Sequence, residues 1–130
     1  MSRQVQLVIA GAIDEMQCEG RGCARCPFRV AETDELACQV AVQGEPLGLA
    51  ARALTELGHD DSPAPVGHVT DVGRVYDDAD LDQAVPALEA ALPILDGAGD
   101  AYFNLHRDLT LSRSLFTTAR RHQKRVVLEL

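Results

Sequence analysis

Hydrophobic residues along the chain change their period several times, and each change marks an element. Residues 4–10 form a compact apolar run that suits a buried strand. Phe28 to Val30 and Leu36 to Val42, separated by Glu32-Thr33-Asp34-Glu35, read as a hairpin with Cys38 on its second strand. From Glu45 the period lengthens: Leu47, Ala50, Ala51, Leu54 and Leu57 make one helical stripe, with Pro46 at the first helical position and Gly58 at the stop. His59 to Pro65 is a polar, proline-containing loop, and Val66 to Tyr76 predicts a strand or two short strands broken at Gly73.

The second half repeats the alternation. Leu81, Ala84, Val85, Leu88, Ala91, Leu92 and Leu95 recur at spacings of three and four, predicting a helix over Asp80–Asp96. Pro86 and Pro93 lie inside it. Because proline removes a helical hydrogen bond and crowds the preceding turn, a kink or two short helices is expected there. Gly97-Ala98-Gly99 closes the segment, Ala101 to His106 suits a strand, Thr110 can cap a helix running to about Gln123, and Val126 to Leu130 ends in a strand-like run. The fold class is therefore α+β: a single small domain over residues 1–130, with a mixed sheet, about three helices packed on it, and a cysteine-rich loop plus β-hairpin near the N-terminus. Residues 44–130 form its alternating helix and strand body.

Composition agrees with one domain. With 130 residues, 46% of them hydrophobic, the chain can bury roughly two thirds of its unfolded surface in one core. No apolar run approaches the ~20 residues that span a bilayer. The run Val5 to Ala12, interrupted by Gln6 and preceded by the single base Arg3, reads as a first strand rather than a secretory leader. Cytoplasmic residence is the expectation, and reduced thiols there favour metal ligation over disulfides.

The net charge of −8 is unevenly placed. Residues 32–100 hold 15 acids against the two bases Arg52 and Arg74, whereas residues 101–130 hold six bases against Asp108 and Glu129. An acidic surface opposes nonspecific nucleic-acid binding, so the segment 120–125, Arg120-Arg121-His122-Gln123-Lys124-Arg125, is the only candidate for such a role. Basic side chains also belong at a helix C-terminus, which explains the run without a ligand. A protein partner is the more natural expectation.

The chemistry is concentrated in the thiols. All four cysteines fall in one 21-residue window, as Cys18-x4-Cys23-x2-Cys26-x11-Cys38. Four thiolates brought together by the glycine-rich stretch Glu19-Gly20-Arg21-Gly22 can supply the whole shell of a zinc ion or an iron–sulfur cluster. For zinc, Cys23 and Cys26 form one closely spaced pair and Cys18 with Cys38 complete the set. Arg21, Arg25 and Arg29 can offset the negative charge of such a site. Cys23-Ala24-Arg25-Cys26 as a redox pair is a weaker reading, because no helical pattern begins at Cys26 to lower a thiol pKa.

The spacing also resembles the [2Fe–2S] loop of plant-type ferredoxins and, more closely, the N-terminal cluster loop of molybdenum-hydroxylase iron–sulfur subunits. There a glycine-containing loop leads through C-x4-C-x2-C into a hairpin, and the last ligand follows after eleven residues. The resemblance covers residues 18–38 and implies Cys18, Cys23, Cys26 and Cys38 as ligands, with Gly22 where the chain wraps the cluster. The functional expectation is a small metal-binding protein, an electron-transfer or redox-responsive accessory. The alternative is a zinc-stabilised interaction or regulatory module without catalytic activity.

Other motifs carry less. Asp78, Asp80, Asp82 and Glu89 match ligand positions of a calcium loop, but Gln83 stands where the turn needs glycine, and acids opening a helix explain the run. His106-Arg107-Asp108-Leu109 echoes a kinase loop by letters only. His59, His68, His106 and His122 show no paired ligand spacing among themselves. No acid–base pair and no nucleophile with an orienting partner can be named.

Overall fold

The computed structural model describes residues 5–9, 39–59, 66–71, 73–121 and 123–129. Strands β1 (Val5–Ile9), β2 (Gln39–Val42), β3 (His68–Thr70), β4 (Gly73–Tyr76) and β5 (Val126–Glu129) form one sheet in the order β2-β1-β5-β4-β3. Helices α1 (Pro46–Glu56), α2 (Asp78–Asp96) and α3 (Phe103–Arg121) complete a small α+β domain, with a 3-10 turn at Asp100–Tyr102 ahead of α3. A mixed sheet was the expectation from sequence; the four described pairings are all antiparallel. The connections explain this. A single helix between neighbouring strands returns the chain parallel, but α2 and α3 together form a helical hairpin that reverses direction between β4 and β5.

The helices form a layer over the sheet, with α2 and α3 packed side by side, α3 lying on β1 and β2 and α2 reaching β4. Strand alternation points Leu7, Ile9, Val126 and Leu128 into this layer, where they meet Leu47, Leu81, Leu88, Leu95, Leu109, Leu115 and Phe116. Gln6, Val8 and Val127, on the alternate positions, are only half-buried. Tyr76 is fully buried, its ring centroid 5.0 Å from that of Phe116.

Local signals account for most boundaries. Glu45 caps α1 through its carboxylate, which accepts from the Gly48 amide, Pro46 opens the helix, and Gly58 follows it at φ 83. In α2, Asp77 accepts from the Asp80 amide at 3.1 Å and Asp80 accepts from the Asp77 amide at 3.0 Å, a reciprocal capping box. Rather than two short helices, α2 is one helix that contains Pro86 and Pro93. Both prolines are exposed, as are Asp82 and Glu89, whose carbonyls lose their helical donors, so water can satisfy what the prolines leave open.

Two expectations are corrected. Ala101–His106 is not a strand: Asp100–Tyr102 turns directly into α3, whose buried Leu109, Ser112, Leu115, Phe116 and Ala119 keep helical spacing. Thr110 consequently lies inside the helix, donating its hydroxyl to the His106 carbonyl at 2.8 Å instead of capping. Val66 to Tyr76 holds the two short strands expected, β3 and β4, and Gly73 begins the second. Its φ of 133 and a Cβ position only 2.0 Å from the Leu128 carbonyl oxygen mean that no other residue fits against β5 there. The expected hairpin over residues 28–42 lies outside the described residues except for β2, which pairs with β1.

Candidate metal centres

The four predicted ligands, Cys18, Cys23, Cys26 and Cys38, lie outside the described residues, as do Arg21, Arg25 and Arg29. What is described is their frame. Val8 and Gln39 are direct antiparallel partners, and Cys38 immediately precedes Gln39. Such partners sit about 4.5–5.5 Å apart, so the described strands that flank residues 10–38 hold the two ends of that connection side by side. The β1–β2 ladder therefore closes that connection at its base.

A second group of metal-ligand type is assembled by α2 and the β3–β4 hairpin. Hairpin register sets His68 opposite Val75, two residues before the N-cap Asp77, and the first turn of α2 brings Asp80 back to the same point. One ligand atom from each of His68, Asp77 and Asp80 lies within 4.8 Å of the others. The Arg74 guanidinium fixes the approach to His68, its Nη1 donating to the Val66 carbonyl at 3.0 Å. Gly67, at φ 85, allows the chain to pass the Val75 carbonyl, which a Cβ would meet at 2.7 Å. His68 is exposed while Asp77 and Asp80 are partly buried. The Asp80 amide, with help from the His68 charge, holds the Asp77 carboxyl below the usual carboxylate range.

Among the described residues, His68 meets two aspartates that spacing in the sequence does not join to it. Only strand register relates residue 68 to residue 77, so a histidine in a hairpin strand followed by a D-x-x-D capping box is the signal that would have found them. The calcium-loop reading of Asp78, Asp80, Asp82 and Glu89 does not hold, since all four stand in continuous helix. His106 and Asp108 also lie in helix, in α3, and Asp108 is buried, accepting from the Gln43 amide and facing Arg107 at 3.6 Å. Burial raises its carboxyl pKa despite both favourable partners.

A cleft of about 680 Å³ between α2 and α3 is lined by Glu89, Pro93, Asp96, His106 and Arg113 among others. In the basic segment, Arg120 and Arg121 occupy the last turn of α3, and Arg120 Nε meets Asp82 Oδ1 at 2.8 Å, so at this contact basic and acidic regions neutralise each other. His122 lies outside the described residues. Among the described residues, no helix is long and apolar enough to cross a membrane. No known protein family, curated protein or solved structure matches the chain.

Proposed function

We propose that this chain is a small metal-binding protein whose Cys18, Cys23, Cys26 and Cys38 hold an iron–sulfur cluster of the [2Fe–2S] type or a zinc ion. The observation that carries the reading is the spacing C-x4-C-x2-C-x11-C, with every cysteine of the chain inside one window. The frame supports it: a ladder that closes the connection at Val8 and Gln39 lowers the entropy of bringing Cys38 back toward the other three thiols. Arg21, Arg25 and Arg29 supply positive charge within the same stretch, which favours the thiolate form of the ligands. With a cluster bound, the protein serves as an electron-transfer or redox-responsive accessory in a reducing, cytoplasmic setting and works through a protein partner. With zinc bound, the metal fixes the loop as an interaction module without redox chemistry.

Elemental analysis and an absorption spectrum on protein purified without oxygen from iron-supplemented cells test the proposal. About two irons per chain with absorption between roughly 320 and 460 nm, bleached by dithionite, is the cluster outcome. One zinc per chain without colour, lost on Cys26→Ala, is the zinc outcome. Protein containing neither metal, with four thiols that react freely with a thiol reagent, overturns the reading.

A further inference from the structure

We infer that His68, Asp77 and Asp80 form a binding site for a divalent first-row metal ion, separate from the four cysteines. The observation is convergence from two independent elements: an imidazole at the start of β3 and two carboxylates at the start of α2, with ligand atoms within 4.8 Å of one another. Ligands bound at about 2.1 Å to one ion stand roughly 3–4.2 Å apart, so small side-chain rotations close the set.

The backbone that carries each ligand is held by contacts other than the ion. In the capping box, Asp77 uses Oδ1 and Asp80 uses Oδ2, which sets both rotamers and leaves each carboxylate a second oxygen. His68 is placed by its pairing with Val75, by the Arg74 clamp on the preceding carbonyls and by the tight passage at Gly67. A capping box by itself needs no histidine.

The charges agree. The N-terminus of α2 contributes about half a positive charge, which opposes a cation, but the two carboxylates outweigh it and balance a divalent ion. One imidazole with two carboxylates suits the range from Mn²⁺ to Zn²⁺ rather than a soft thiolate-seeking ion, and the exposure of His68 leaves further coordination positions to water. Bound there, the ion ties the β3–β4 hairpin to α2.

The test uses the full chain and Mn²⁺, a hard ion with little affinity for thiolates, so that the state of the cysteines does not enter the readout. Loss of the free Mn²⁺ paramagnetic resonance signal measures binding, and Mn²⁺-induced broadening of amide NMR signals locates it. One ion per chain is expected, broadening the amides around His68 and Asp77 to Leu81. His68→Ala, at an exposed position, weakens binding at least tenfold, and Asp80→Asn, which can still accept the Asp77 amide, does likewise. The inference is overturned if Mn²⁺ does not bind, if broadening falls elsewhere, or if both variants bind within twofold of the parent. None of these results bears on the cysteine site, which fails or stands on its own iron and zinc content.

Discussion

Glu45 holds two parts of the fold at once, and replacing it tests how they are joined. Its carboxylate accepts from the Gly48 amide at the start of α1 and from the Tyr76 hydroxyl, at 2.8 Å, at the end of β4. Tyr76 is 0% exposed, and burial together with the Glu45 charge drives its hydroxyl pKa far upward, so it remains a donor throughout the accessible pH range. Glu45→Ala removes the cap, at about 1 kcal/mol. It also leaves a buried hydroxyl unpaired, at about 1–3 kcal/mol, for a total of about 2–4 kcal/mol. Tyr76→Phe removes the hydroxyl itself and leaves Glu45, which is half-buried, able to find water and still capping α1; about 1–2 kcal/mol is expected. The double variant then costs less than the sum, because once the hydroxyl is gone Glu45→Ala loses only the cap. Urea unfolding followed by far-ultraviolet circular dichroism at fixed metal content measures all four proteins, and at a slope of about 2 kcal/mol/M a 3 kcal/mol loss moves the midpoint by about 1.5 M. Strict additivity, or a Glu45→Ala cost below that of an ordinary cap, would refute the claim that one carboxylate serves both elements.

Two further outcomes follow from the backbone and from burial. Gly73→Ala should cost well over the ~1–2 kcal/mol of left-handed strain alone, because its Cβ meets the Leu128 carbonyl, whereas Gly58→Ala, at φ 83 with open space around it, should cost only that strain; equal midpoints in urea would contradict the close approach. Asp108 gives a pH dependence. Its carboxyl pKa is raised in the fold, so the stability it contributes is fully present below the unfolded value of about 3.9 and is lost as pH rises through the folded value. Asp108→Asn, which keeps an acceptor for the Gln43 amide, should therefore melt at or above the parent at neutral pH, with the gap closing toward about pH 3. A variant that falls further below the parent as pH rises would reverse the sign.

The helical stripes of α1 and α2 were legible because their apolar residues keep a period of three to four and each start carries a cap or proline that acts locally. Ala101–His106 suggests a strand in the sequence because Tyr102 and Phe103 favour strands on their own, and α3 wins by burying the stripe that begins beyond them, leaving Phe103 67% exposed. Sheet direction was hidden, since it depends on whether one helix or two separates neighbouring strands. The same distinction applies to the sites. The cysteine pattern is a matter of linear spacing and is visible in the sequence, whereas the group at His68, Asp77 and Asp80 exists only through the pairing of His68 with Val75.

The strand order has a consequence for how the chain can acquire its structure. Among the described residues, β1 with β2 and β3 with β4 are two-stranded ribbons joined through β5, which pairs with β1 on one side and β4 on the other. Two-stranded ribbons are marginal in water, so the pairing of β1 with β2 and of β3 with β4 is each reinforced when β5 arrives between them. On the ribosome, where roughly 5–20 residues are added per second, the first ribbon waits several seconds for β5 after β2 has been made. Throughout that interval Leu7 and Ile9 lack their final cover, and the nascent chain depends on early pairing of α2 with α3 or on a chaperone to keep them from other chains.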